Sequence, residues 1–160
     1  MKAQISWQGR MSFTATADSG FSLPLDADPS VGGDDAGFRP MEMVLVGLGG
    51  CTALDVISIL MKKRQDVTAF DVQLHADRAE THPKVMTRAV INYLITGHQV
   101  DENAVLRAIE LSAEAYCPAQ AMLGKVMPIE LHYQILEDLG EGQRQLVKSG
   151  VYESSQVVKS

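Results

Sequence analysis

The spacing of hydrophobic residues in the first forty or so positions is that of strands followed by a loop. Apolar residues alternate with polar ones at Ile5, Trp7, Met11, Phe13 and Ala15, and this period of two predicts two strands joined by a tight turn at Gln8-Gly9-Arg10. The stretch GFSLPLDA predicts a third strand, with Pro24 placing it at an edge or a strand end. The Gly-, Pro- and Asp-rich segment DADPSVGGDDAGFRP predicts a loop.

The pattern then changes to that of a long helix. From Pro40 to about Arg64 apolar residues fill more than one helical face, which predicts a helix that is buried nearly all round. Its longest uncharged run, from Met43 to Leu54, is short of the ~20 residues that span a bilayer, so a core helix is expected. This much apolar surface also predicts a homodimer with a large interface.

Strands and helices are both predicted in the second half. Alternation at Phe70–Leu74 and at Val85–Ile95 predicts two strands, with AETHP as the turn between them. A helix follows from the N-cap Asp101, and Pro118 ends or kinks it before a short helix, AQAMLGK. The stretch IELHYQIL predicts a last strand. We therefore predict an α+β fold, with one domain over residues 1–137 and a polar tail over residues 138–160.

Composition and charge narrow the classes of function. The chain has 160 residues with 14 Lys and Arg against 20 Asp and Glu, a net charge of −6. Without a basic cluster, binding to nucleic acid or to an anionic membrane is disfavoured. The N-terminus MKAQISWQGR lacks the apolar core of a secretory signal, which predicts a cytoplasmic protein whose two cysteines are thiols.

The two cysteines stand in unusual surroundings. Three glycines lie just before Cys51 in VGLGGCTALDVISIL, although each glycine in a helix costs up to ~1 kcal/mol relative to alanine. This indicates close packing of another backbone or of a substrate. Cys117 precedes a proline at a helix junction, a place that aims a side chain. A buried cysteine is also an ordinary small hydrophobe, so the residues alone leave both interpretations open.

Other kinds of site are less well supported. The four histidines are scattered, and the spacing of the cysteines is not that of a zinc framework, so neither a metal nor a cofactor is expected. GLGG lacks the residues of a phosphate loop. Asp55 lies one turn after Cys51 on the same face, but an anion there would raise the pKa of the thiol and would not activate it.

Two motifs together resemble a known family. RPMEMVLVGLGGC and the later CPAQAML resemble the OsmC/Ohr family of thiol peroxidases, in particular its shorter and less characterised branch. The resemblance implies an intertwined homodimer with antiparallel sheets around a long central helix and active sites at the subunit interface. It also implies that Cys51 attacks an organic hydroperoxide and becomes a sulfenic acid. Cys117 would then resolve it to a disulfide, which an external dithiol reduces.

The chain departs from the family pattern at the residues that position and activate the first thiol. The family glutamate follows the motif proline, where this chain has Met41, and the carboxylate comes one place later at Glu42. At ~100° per residue, Glu42 and Cys51 face opposite ways on an unbroken helix. The alternative to a role in the site is that Glu42 is a solvated carboxylate in the first turn, where the helix dipole favours it. For the family arginine, Arg10 is preferred over Arg39, although either one can be an ordinary surface residue.

Two functions therefore remain open. One is a cysteine-based hydroperoxide reductase that uses Cys51 and Cys117, with Arg10 and Glu42 as candidates for positioning the substrate. The other is a dimeric small-ligand-binding or redox-responsive protein of the same fold without efficient peroxidase turnover, which Met41 favours.

Overall fold

A computed structural model describes residues 1–153 and divides the chain into two compact units, Met1–Val46 and Gly47–Ser160. The last seven residues of the predicted tail, 154–160, lie outside the described residues. The α+β class predicted from the sequence is confirmed, since the chain has two sheets and three α-helices among the described residues.

The first unit is built on a small antiparallel sheet. Strands β1 (Ala3–Gly9), β2 (Ser12–Ala17) and β3 (Ser22–Leu25) lie in the order β1-β2-β3, as the alternating pattern predicts. The third strand is at an edge, where its proline removes no essential hydrogen bond.

A buried carboxylate organises the loop after β3. Asp26 is only 3% exposed, and it accepts backbone N–H bonds from Ala27 (2.8 Å), Asp34 (3.1 Å) and Ala36 (3.0 Å). These bonds, led by that of Ala36, lower the pKa of Asp26. The loop predicted from glycine and aspartate is therefore ordered around one side chain.

Helix α1 (Pro40–Lys62) begins in the first unit and continues into the second. Its first residue is a proline, whose missing N–H would have no partner in a first turn. Glu42 reaches back to accept the backbone N–H of Arg39 at 2.9 Å, which is the N3 half of a capping box. The start of the helix therefore agrees with the sequence prediction within a residue.

The second unit contains a mixed sheet. Strands β4 (Asp66–Arg78), β5 (Met86–His98), β6 (Ile129–Gly140) and β7 (Gln143–Tyr152) lie in that order. All neighbours are antiparallel except β5 and β6, which are parallel. The expectation of antiparallel sheets is therefore wrong for this one pair. A long crossover joins β5 to β6, and a connection of this length permits parallel pairing. The crossover holds α2 (Glu102–Leu111), a π-helical turn (Ser112–Tyr116) and α3 (Pro118–Leu123).

The core of this unit lies between the helices and one face of the sheet. Alternate residues of β5 are fully buried, and so are residues along one face of α1 and of α2. These core residues are Ala89, Ile91, Tyr93 and Ile95 of the strand, Leu48, Val56 and Leu60 of α1, and Val105, Ala108 and Ile109 of α2.

Within one chain, α1 is not buried all round. Leu54 is 73% exposed and Met61 is 68% exposed, so the helix has a buried face and an open apolar one. Its length, and a mean hydropathy of 2.0 over an 18-residue window, also match those of a membrane span. Its buried face, however, contributes polar side chains to an internal hydrogen-bond network, which is described below. Such paired polar groups are typical of a helix inside a domain and not of a membrane span.

The region expected to be a polar tail is largely strand. β6 continues to Gly140, and β7 pairs with it up to Tyr152. Gly150 faces Tyr133, whose hydroxyl would lie 2.6 Å from a Cβ at that position. A glycine in a polar segment therefore marks a close packing contact here.

Candidate functional site

The structure brings the two cysteines together in the second unit. The sulfurs of Cys51 and Cys117 and a carboxylate oxygen of Asp55 all lie within 4.8 Å of one another. Both cysteines are free thiols, Cys51 partly exposed and Cys117 only 2% exposed. The Cys51 sulfur is therefore accessible to a molecule from solvent, whereas the Cys117 sulfur is not.

The turn that precedes Cys117 aims its side chain inward. The π-helical turn ends there with the N–H of Cys117 bonded to the carbonyl of Ser112 at 2.9 Å. Pro118 then begins α3, and the Cys117 Sγ accepts the backbone N–H of Gln120 at 3.4 Å as the N-cap of that helix. The proline that marked a helix junction in the sequence thus fixes the orientation of the thiol.

Burial has a clear effect on Cys117. It raises the pKa of this thiol to about 11, partly opposed by the Gln120 N–H and reinforced by the neighbouring Cys51. Desolvation disfavours the charged form of any acidic group. Cys117 is therefore a protonated thiol at neutral pH.

A buried hydrogen-bond network lies beside the thiols. The hydroxyl oxygen of Thr52 lies 2.6 Å from the Tyr93 hydroxyl, 2.9 Å from Ser112 Oγ and 3.0 Å from Gln120 Nε2. Ser112 Oγ in turn donates to Asp55 Oδ2 at 3.1 Å. Burial raises the pKa of Tyr93 well above its ordinary value, so its hydroxyl keeps its proton.

These contacts define a direction for the network. Ser112 has one hydroxyl hydrogen and donates it in the hydrogen bond to Asp55 Oδ2, so Ser112 must accept the hydrogen bond from Thr52. Thr52 then accepts from Tyr93 and from the Gln120 amide. The donor sequence Tyr93, Thr52, Ser112 ends on Asp55 and holds its carboxylate beside the sulfurs.

The sequence interpretation missed this network. Its signal is the presence of polar residues on buried helical faces, Thr52 directly after Cys51 and Ser112 at the end of an amphipathic helix. That signal is weak, because serine and threonine are common inside helices without partners of this kind. Asp55 was placed correctly on the face of Cys51, but its hydrogen-bond partner comes from a distant part of the chain.

The three glycines before Cys51 have different surroundings. A side chain at Gly49 would overlap Leu74 Cδ1. Cβ atoms at Gly47 and Gly50 would have no described atom within 4 Å apart from their chain neighbours and the adjacent backbone of the helix. Close packing within the chain therefore accounts for one glycine only.

The other candidates have partners in the first unit. The guanidinium of Arg10 binds the carboxylate of Asp34 and the carbonyl of Gly32, and that of Arg39 binds Asp35. Glu42 binds the Arg39 N–H as described. The structure thus brings together Cys51, Cys117 and Asp55, and gives Arg10 and Glu42 local partners of their own.

Comparison with known proteins identifies the family of this chain. The family model described as OsmC-like protein matches residues 32–132, which include both cysteines. Protein YhfA of Escherichia coli K12 is 39% identical over 136 residues, which are 85% of this chain and 98% of that protein.

Solved structures give the same result for the fold. A hypothetical protein from Aquifex aeolicus is 28% identical with a TM-score of 0.75, covering 86% of this chain and 96% of that one. An organic hydroperoxide resistance protein OsmC from Legionella pneumophila is 15% identical with a TM-score of 0.62, over 84% and 94% of the two chains. These structures show the fold, and the family match over residues 32–132 together with the E. coli relative shows that the chain belongs to the OsmC-like protein family.

Proposed function

We propose that this protein reduces organic hydroperoxides, with Cys51 as the peroxidatic thiol and Cys117 as the resolving thiol. The observation that carries the proposal is the proximity of the two sulfurs, within 4.8 Å, combined with their unequal exposure. A peroxidatic thiol must be reached by substrate, whereas a resolving thiol needs only to reach its partner.

The chemistry balances with these two groups and one external reductant. The Cys51 sulfur attacks the O–O bond, takes one oxygen to become a sulfenic acid, and releases the other as an alcohol. The Cys117 thiol then attacks the sulfenic sulfur, and water leaves as the disulfide forms. An external dithiol reduces that disulfide and is itself oxidised.

The assembly belongs to the same proposal. Leu54 and Met61 expose apolar side chains on α1, and Gly47 and Gly50 leave open space on this helix. A second copy of the chain covering this face would give an obligate homodimer with a site at each subunit interface. We further propose that it works in a reducing cytoplasm, where the dithiol form is regenerated. Sedimentation at micromolar concentration should show a dimer, and a compact monomer would contradict this part.

A second candidate function has its own supporting observation. Both arginines considered for activating Cys51 are bound to carboxylates, Arg10 to Asp34 and Arg39 to Asp35. A cation already paired with a carboxylate stabilises a thiolate less, and a thiol without that stabilisation reacts slowly. This favours a dimeric small-ligand-binding or redox-responsive protein that keeps the thiol pair without efficient turnover.

A peroxidase assay separates the two functions. Wild type and Cys51→Ser are compared with an organic hydroperoxide and with hydrogen peroxide, each in the presence of a dithiol. Turnover that Cys51→Ser abolishes supports the reductase, and a higher kcat/KM for the organic substrate supports its specificity. Absence of turnover in both proteins supports the binding protein.

The order of the two thiols is tested by a single-turnover experiment. One equivalent of hydroperoxide should convert wild type to a 51–117 disulfide, identified by peptide mapping. Cys117→Ser should stop at a sulfenic acid and proceed to a sulfinic acid with excess oxidant. Cys51→Ser should leave Cys117 unmodified, and rapid oxidation of Cys117 in that variant would reverse the assignment.

A further inference from the structure

The group formed by Cys51, Asp55 and Cys117 has the composition of a metal site. Two sulfurs and a carboxylate oxygen lie within 4.8 Å of one another. Around a tetrahedral Zn²⁺, with bonds of about 2.3 Å to sulfur and 2.0–2.2 Å to oxygen, neighbouring ligand atoms are roughly 3.4–3.8 Å apart. Small side-chain rotations would therefore be enough to bring the three atoms onto one ion.

We propose that the reduced protein binds a thiophilic divalent cation of the Zn²⁺ class through these three side chains. Thiolates favour such ions over Mg²⁺ or Ca²⁺, which take oxygen ligands. Since Cys117 is buried and Cys51 is partly exposed, the fourth position opens toward solvent on the Cys51 side. Three protein ligands with one open position are the arrangement of an accessible zinc site and not of a closed structural one.

The backbone supplies two of the ligands from one helical face. Cys51 and Asp55 are separated by four residues on α1, so their side chains project from the same side one turn apart. The paired histidines of helical zinc sites use this same spacing. The crossover supplies the third ligand, and this explains why cysteine and histidine spacing in the sequence did not predict the site.

Hydrogen bonds from surrounding groups hold two of the ligands. Ser112 Oγ donates to Asp55 Oδ2 at 3.1 Å, and the Gln120 N–H donates to Cys117 Sγ at 3.4 Å. Such outer contacts orient metal ligands, and their removal typically weakens metal affinity 10- to 100-fold.

The cation and the disulfide compete for the same sulfurs. A 51–117 disulfide leaves no thiolate to bind the ion, so only the dithiol form can bind it. Zn²⁺ binding to the dithiol form does not depend on hydroperoxide reduction, because the titration of the reduced protein uses no oxidant. Failure of one proposal is therefore distinguishable from failure of the other.

The test is a titration of the reduced, metal-free protein with Zn²⁺ in competition with a chromophoric chelator. We expect one ion per chain. Asp55→Asn should weaken binding at least tenfold, whereas Asp71→Asn, an exposed carboxylate on β4, should leave affinity within twofold. The double variant Cys51→Ser/Cys117→Ser and the oxidised wild type should not bind. Co²⁺ in place of Zn²⁺ should give thiolate charge-transfer absorption that the double variant lacks.

Ser112→Ala is the second variant, because it keeps all three ligands and removes the hydrogen bond to Asp55, together with the one that Ser112 accepts from Thr52. It should weaken Zn²⁺ binding by roughly tenfold, and circular dichroism verifies the folding of each variant. The proposal is overturned if Zn²⁺ still binds the double cysteine variant, or if wild type does not bind. It is also overturned if Asp55→Asn folds and binds Zn²⁺ as tightly as wild type. If Asp55→Asn does not fold, the same result for Ser112→Ala overturns it.

Discussion

The substitution Thr52→Val removes the centre of the buried network while nearly preserving shape. The Thr52 hydroxyl accepts from Tyr93 and from Gln120 and donates to Ser112, over distances of 2.6 to 3.0 Å. Thr52 and Tyr93 are fully buried, and Gln120 is 7% exposed. In the variant two buried donors lose their acceptor, whereas Ser112 keeps its bond to Asp55.

The size of the effect follows from these stranded donors. A buried donor without a partner costs about 1–3 kcal/mol, so the two stranded donors of Thr52→Val should lower the free energy of unfolding by about 2–6 kcal/mol. That is a large part of the ~5–15 kcal/mol typical of a domain. Tyr93→Phe is the matched control, because it removes one donor without stranding another and should cost only about 1 kcal/mol.

The assay is urea unfolding of the reduced protein, with the m-value as a check that the unfolding transition itself is unchanged. A double-mutant cycle adds specificity, since Thr52→Val should cost less in the Tyr93→Phe background, where only the Gln120 amide is stranded. A loss below about 1 kcal/mol for Thr52→Val would refute the reasoning. It would mean that the two donors find other partners or water.

Three further predictions concern other parts of the chain. Gly49→Ala, whose side chain would meet Leu74, should lower the stability of the fold by about 1–3 kcal/mol. Gly50→Ala should raise the stability of the isolated chain by up to ~1 kcal/mol. Thermal unfolding in which Gly50→Ala is the less stable of the two variants would contradict this prediction. Asp26, whose pKa is lowered by backbone N–H bonds, stabilises the fold above its unfolded pKa of about 3.9 and loses this effect as pH falls through its lower folded value. The stability difference between wild type and Asp26→Asn should therefore shrink below pH ~4 in denaturation series, and a constant difference would exclude this linkage. Saturating Zn²⁺ should protect Cys51 from alkylation in the reduced protein, and equal labelling rates with and without the ion would argue against the metal site.

Elements with a strong periodic pattern could be predicted from the sequence. Helix α1 was expected from Pro40, and α2 from its N-cap Asp101, which the structure confirms. Strand β7 was not expected, because the apolar residues of QRQLVKSGVY stand in adjacent pairs and do not alternate with polar ones. It lies at the edge of the sheet and exposes most of its side chains, so burial imposes little pattern on it.

The candidate site was predictable only in part. The motif around Cys51 and the Cys117–Pro118 junction pointed to a thiol pair through their resemblance to a family. The partners of Asp55 and Thr52 could not be predicted, because they come from β5 and from the crossover. The local carboxylate partners of Arg10 and Arg39 were missed for a related reason, since a loop's folded path decides which of its carboxylates each arginine meets.

The parallel pairing of β5 with β6 has a consequence for folding. Parallel strands joined by a long crossover form contacts between residues distant in sequence, and such contacts form late and slowly. Cys117 lies in that crossover, so its sulfur reaches Cys51 only when the crossover has closed. An oxidant that meets an incompletely folded chain therefore finds two separate thiols, each open to irreversible over-oxidation. If Cys117 resolves Cys51 as proposed, that protection begins only when the chain has its final topology.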